Sequence, residues 1–103
     1  MRYEIRYLPL ACLDLDGIAE YLRCFYPDTA SRVLHSIEEK LKALEQMPEM
    51  YEEYPKNPFY RRMVVEKYLV FYHVNRENST VDVYRVLRAT WNIEKQIPDG
   101  FKM

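Results

Sequence analysis

Glycine is almost missing from this chain, 2 residues in 103, which excludes flexible linkers and the glycine-rich loops that cradle phosphates. Cysteine is scarce too. Cys12 and Cys24 lie far outside CxxC spacing, and with only 2 histidines, His35 and His73, no cysteine–histidine cluster completes a zinc site. Two reduced thiols in a cytoplasmic protein are the expectation. No apolar run approaches the roughly 18 residues that cross a membrane. The opening MRYEIRYLPL, with an acid and two arginines among its apolar residues, is not expected to be a signal peptide. Neither HExxH nor a Ser/His/Asp arrangement is present, and no cofactor or metal is implied. A net charge of −1 also lacks the strong positive excess of a protein built only to grip nucleic acid.

What is present is a globular composition, 49% hydrophobic and 30% charged, at a length that fits one domain over residues 1–103. Ten tyrosines suit half-buried strands and interfaces, where the ring packs and the hydroxyl stays wet. Charge is uneven along the chain. Residues 1–54 hold six Lys/Arg against eleven Asp/Glu, and residues 55–103 hold nine against five. An acidic helical half and a basic sheet half follow, with a basic face open to polyanions.

Periodicity supplies the elements. Tyr3, Ile5 and Tyr7 alternate with Arg2, Glu4 and Arg6 in a half-buried strand over 2–8. Pro9 opens a helix carrying Leu10, Leu13, Ile18, Tyr21, Leu22 and Phe25 as its core stripe, weakened by Gly17. Tyr26-Pro27-Asp28 breaks it, with Asp28 as N-cap of a second helix from Thr29 to about Gln46, striped by Ala30, Val33, Leu34, Ile37, Leu41 and Leu44. The proline-rich segment 48–58 is a loop inside one domain. Strands follow at 59–66 and 68–75 about a turn at Glu66-Lys67, then at 80–88 after the turn Asn75–Ser79. A helix from about Thr90, its candidate cap, to Ile97 ends at Pro98-Asp99-Gly100. The order β-α-α-β-β-β-α gives an α+β fold. Its antiparallel sheet carries the N-terminal helical hairpin on one face and leaves the other face free, with a short C-terminal helix.

This order and spacing, with the strand pair Arg61-Arg62-Met63-Val64-Val65 and Tyr68-Leu69-Val70-Phe71-Tyr72, then Tyr84-Arg85-Val86-Leu87 and the tail Asn92-Ile93-Glu94-Lys95, resembles the RelE/ParE superfamily of bacterial type II toxins. The resemblance covers nearly the whole chain. It implies a growth-inhibiting, plasmid-stabilising type of protein, cytoplasmic and neutralised by a co-encoded antitoxin whose disordered segment folds along the groove and free sheet face. The target it implies is DNA gyrase, bound without catalysis as by ParE. The alternatives are RelE-like cutting of messenger RNA on the ribosome, or a detoxified module that only binds its antitoxin. Oligomeric state stays open.

Ribonucleases of this family use no metal; the adjacent 2′-hydroxyl attacks the phosphate, so they need proton carriers and cations around the developing charge. His73 and Tyr84 are the candidate proton carriers here, with Arg85, and with Arg62, Arg88, Glu66 and Lys67 as further available groups. Arg61, Arg62, Arg85, Arg88 and Trp91 are the candidates for meeting antitoxin or target. Each has a plainer reading: His73 as a hydrogen-bonded residue at the core's edge, Arg61 and Arg62 paired with Glu66 and the acids of loop 48–58, Trp91 as an anchor for the last helix. Regular alternation over 80–88 places Val81, Val83, Arg85 and Leu87 on one face and Asp82, Tyr84, Val86 and Arg88 on the other. Leu69 stands where RelE-type enzymes carry an arginine, and Trp91 where a further basic residue often falls. Losing two cations from a charge-stabilising site costs on the order of several kcal/mol of barrier lowering, which favours the ParE side.

Overall fold

Tyr3 and Ile5 tuck against the core while Arg2, Glu4 and Arg6 face outward, forming the short strand β1 (Glu4–Tyr7). The computed structural model describes residues 2–90 and 93–97. Pro9, with its φ preset for a first turn, opens α1 (Pro9–Phe25). The chain then reverses at Tyr26 (φ −142°, ψ 61°) and enters α2 (Pro27–Ala43). Asp28 is therefore not the N-cap expected of it. Pro27 again takes the first helical position, which moves the cap back to Tyr26, where no side chain caps. Asp28 instead lies in the first turn, favourable for the helix dipole. The second helix also ends earlier than Gln46, in turns in which Met47 N–H donates to Ala43 at 3.2 Å.

Three strands follow, β2 (Arg61–Val65), β3 (Tyr68–Asn75) and β4 (Thr80–Arg88). Glu66 and Ser79 occupy their two turns in the left-handed region, each with φ 55°. Of the last helix expected from Thr90, the described residues show one turn, α3 (Ile93–Gln96). Trp91, Asn92 and the stop at Pro98-Asp99-Gly100 lie outside the described residues. The sheet order is β1-β4-β3-β2. β2, β3 and β4 pair antiparallel, but β1 runs parallel to β4, so the sheet is mixed and not antiparallel throughout. The helical hairpin causes this: it carries the chain from β1 to the far edge, and two hairpins bring it back in β1's own direction.

The main core lies between the helices and one sheet face, with Ile18, Leu22, Val33, Ile37, Leu41, Met63 and Val86 among its members. The expected α1 stripe is only half right. Ala11, Ile18, Ala19 and Leu22 face the sheet, while Leu13 is 65% and Phe25 67% exposed, with Leu10 and Tyr21 also outward. The sequence places apolar residues on two faces of α1, and the sheet can cover only one.

The opposite sheet face is not bare. Tyr54 and Tyr60 from the loop between α2 and β2, with Ile97, cover Phe71 and Leu87 in a second apolar cluster. Tyr54 meets Phe71 edge-on at 5.1 Å. The loop is tied to the edge of β2, with Arg62 N–H donating to Glu52 at 3.1 Å and Tyr54 N–H to Tyr60 at 2.8 Å. An edge strand that would invite foreign pairing is thereby partly covered.

Alternation along β4 breaks at one residue. Phe71 pairs with Arg85 and the next residue, Tyr72, pairs with Val83, leaving Tyr84 as a bulge. The expected face sets are corrected by this extra residue. Val81, Val83 and Val86 enter the main core. Leu87 joins the opposite face, in the row of Leu69, while Arg85 is paired across from Phe71.

Candidate functional site

The four candidate arginines do not converge. Arg62 pairs with Glu52 at 3.0 Å and lies over the Tyr54 ring, 5.4 Å from its centroid. Arg61, its neighbour in sequence, points to the other face, donates to the Tyr51 carbonyl at 2.7 Å and meets Glu49 at 3.3 Å. Arg76 binds the same Glu49 carboxylate. Loop acids thus fold onto the basic strand, so the two oppositely charged halves of the sequence neutralise each other. Glu66 is engaged elsewhere, by Arg32 at 2.8 Å.

Arg85 is held most firmly. Its Nε and Nη2 donate to Asp14 of α1 at 2.7 and 3.0 Å, and its Nη1 donates to Gln96 Oε1 at 3.1 Å. The same Asp14 carboxylate accepts the Val86 N–H at 2.9 Å. That amide lies beyond Tyr7, where β1 ends and the β4 edge loses its partner strand. The Arg85 side chain is 18% exposed and that of Asp14 11%. Hydrogen bonding to Asp14 raises the Arg85 pKa further above its ordinary value, against the opposing effect of burial. Arg88, on the helix-covered face, lies over the Tyr21 ring at 5.8 Å, and among the described residues no carboxylate pairs with it.

His73 and Tyr84 do come together, through a residue that sequence reasoning passed over. Phe59 stacks on His73 at 3.8 Å with planes 9° apart, and meets Tyr84 edge-on at 6.0 Å. Tyr60 adds a second edge contact to Tyr84 at 4.9 Å, and burial first, then Tyr84, raises the Tyr60 pKa. His73 Nδ1 lies 2.9 Å from the Phe59 carbonyl, which can only accept, so the proton of the neutral ring sits on Nδ1 and Nε2 is left as the acceptor. The third member of the expected group, Arg85, is tied to α1 and α3. Trp91 is outside the described residues.

Asp14 and Phe59 are the two site residues the sequence did not announce. Asp14 sits between Leu13 and Leu15, and only its alignment with the open edge of β4 gives it work. Phe59 reads as a strand residue by composition but precedes β2, where its ring is free to lie across His73. Among the described residues, no group of three His, Cys, Asp or Glu could hold a metal ion, and no helix is long and apolar enough to cross a membrane.

An αα-hairpin laid on a four-stranded mixed sheet is a fold this chain shares with solved toxin structures. The family described as the ParE toxin of type II toxin-antitoxin systems, parDE, matches residues 5–91. The chain belongs to that family and is the toxin of a type II toxin–antitoxin system. Solved structures with the same fold include the chromosomal ParDE system of P. aeruginosa, at TM-score 0.71 and 21% identity, covering 84% of this chain and 96% of that one. The RelBE2 toxin–antitoxin complex of Mycobacterium tuberculosis gives 0.62 and 19%, covering 85% and 99%. E. coli toxin RelE, as a double arginine-to-alanine mutant in the free state, gives 0.69 and 17%, covering 93% of each chain. No match was found among curated protein sequences.

Proposed function

We propose that this toxin acts as a ParE-like inhibitor that binds a protein target, DNA gyrase, in the cytoplasm and does no chemistry on it. The observation that carries the reading is the state of its arginines. A ribonuclease of this fold needs cations free to meet a developing phosphorane charge. Here Arg61, Arg62 and Arg85 are each already paired with a carboxylate of the same chain, on different parts of the sheet. Leu69, half-buried beside the second cluster, adds no charge. A co-encoded antitoxin holds the toxin inactive, its acidic and apolar segment ordering on the surface as it binds.

The ribonuclease reading has one observation on its side, the placement of His73 and Tyr84 on either side of Phe59. Inducing the chain alone in a bacterial culture separates the possibilities. Growth arrest with intact transcripts, DNA damage, and inhibition of gyrase supercoiling by the purified protein is the expected result. Arrest with ribosome-dependent transcript cleavage, lost in His73→Ala and Arg85→Ala, would replace it with the ribonuclease. Well-expressed protein without arrest would leave an antitoxin-binding module.

A further inference from the structure

Only one of the two apolar faces of α1 is used within the fold. The second carries Leu10, Leu13, Gly17, Tyr21, Cys24 and Phe25, at the three- and four-residue steps of a helix stripe. At about 100° per residue it lies roughly a third of a turn round α1 from the buried row of Ala11, Ile18 and Leu22. Leu13 and Phe25 are the most exposed large hydrophobic residues among those described, and Leu10 and Cys24 are exposed beside them. The Tyr21 and Phe25 rings rest on each other at 5.0 Å and stand as one ridge. A strip of this length, left open on a monomer, marks an interaction surface. At its centre sits Gly17. Among the described residues nothing lies within 4 Å of where its Cβ would stand, and its φ does not require glycine. Glycine weakens a helix interior, and no neighbour in its own chain needs the room.

The stripe is symmetric about that glycine. Leu13 and Tyr21 lie four residues to either side of it, Leu10 and Cys24 seven. We infer that the outer face of α1 pairs with the same face of a second copy of this chain, the two helices antiparallel and crossing at Gly17. A two-fold axis there sets Leu13 against Tyr21 of the partner subunit, and Leu10 against Cys24 of the partner subunit, and makes each contact twice. The paired glycines let the backbones approach, and the large side chains on both sides fill the gap as the helices diverge. A foreign helix has no need of a face that reads alike in both directions, whereas a second copy always presents the same residues in reverse. Two helices of 17 residues meeting in this way bury on the order of 1,000 Å² in total, the lower limit for a specific pair, so the dimer is weak and forms only at high concentration. It depends on neither the target nor the antitoxin proposed above.

Sedimentation equilibrium of the purified full chain, from about 10 to about 500 μM, should show monomers giving way to dimers. Gly17→Leu forces the backbones apart and Leu13→Gln puts an amide in the seam, so each should weaken self-association roughly 10-fold or more. Gly17→Leu has open space for its side chain and a better helix former in place of glycine, so its thermal midpoint should equal or exceed that of wild type and confirm its folding. Disulfides test the direction of the helices. In a Cys12→Ser background, Leu10→Cys should cross-link to Cys24 of the partner subunit under mild oxidation. Within one chain the two positions are about 21 Å apart along the helix, too far to bridge. Cys24 without Leu10→Cys should stay reduced, because antiparallel helices hold its two copies equally far apart. A chain that remains monomeric throughout, a Gly17→Leu variant that associates as wild type does, or a dimer joined through Cys24 alone would overturn the antiparallel pair. Protection of the α1 amides from hydrogen exchange only after the chain encoded beside the toxin gene is added would overturn it too, and would give this face to the antitoxin.

Discussion

The Asp14 carboxylate on α1 grips Arg85 on β4 through two hydrogen bonds and accepts the Val86 amide with the same oxygen that takes Arg85 Nε. One acid thus ends the exposed edge of a strand, fixes a guanidinium, and locks helix to sheet. With Gln96 on the guanidinium's other side, α1, β4 and α3 share a single polar joint.

Replacing Asp14 by alanine strands a largely buried guanidinium and an amide at once. We expect Asp14→Ala to lower unfolding free energy by about 2–4 kcal/mol, read from the midpoint of urea denaturation. The double variant Asp14→Leu with Arg85→Met should recover part of that loss, because no charge is then left without its partner. A double variant no more stable than Asp14→Ala would show that the joint matters for packing more than for charge.

Asp82 gives a signed pH dependence. Burial pushes its pKa up, but hydrogen bonds from Arg6 and Thr80 and the Arg6 charge outweigh this and hold it below the usual carboxylate range. A depressed folded pKa contributes stability that is present above the unfolded value, near 3.8, and is lost as pH falls through the folded one. Urea midpoints should therefore fall more steeply below about pH 4 in wild type than in Asp82→Asn. Parallel slopes for the two proteins would contradict this.

Tyr72 titrates in the opposite sense. Its ring is fully buried, its hydroxyl donates to the Pro48 carbonyl at 3.0 Å, and burial carries its pKa to about 12. A raised folded pKa favours the protonated form, so this contribution is complete below about pH 10 and disappears as pH rises toward about 12. Ultraviolet difference titration should show one tyrosine ionising last, together with alkaline unfolding. Tyr72→Phe should remove that late step and cost about 0.5–1.5 kcal/mol at neutral pH.

The second cluster predicts a local change. Tyr54 anchors the loop between α2 and β2 through Phe71 and the Tyr60 backbone. Tyr54→Ala should expose the segment around Lys56 to trypsin well before global unfolding, because loops open at low cost once their anchor is lost. Phe71→Ala, in a side chain with no exposure, should cost about 3–5 kcal/mol globally. Equal protease sensitivity of wild type and Tyr54→Ala would show that the backbone ties alone hold the loop.

Much of this fold was written in periodicity. The helices and strands, their order, and the turns at Glu66-Lys67 and around Ser79 follow from the spacing of apolar residues and from proline. Two things were hidden. A bulge is a one-residue event that leaves hydrophobic composition unchanged, so nothing in Val81–Arg88 marks Tyr84 as the residue that flips the rest of the strand. Partnerships across 71 positions, such as Asp14 with Arg85, depend on which elements the fold brings together. Composition also suggested a basic face, because the glutamates that neutralise it lie only a few residues before β2 and count with the other half of the chain.

The parallel pairing of β1 with β4 has a consequence for how the molecule comes into being. Glu4 is matched with Thr80 and Arg6 with Asp82, so the first strand to be synthesised waits for the last before it has a neighbour. Contacts this distant in sequence form slowly, since the intervening chain must be closed into a loop first. While the polypeptide is still emerging from the ribosome, the helical hairpin can assemble but the sheet cannot close. The sheet, and any surface that spans it, takes shape only after β4 has been made.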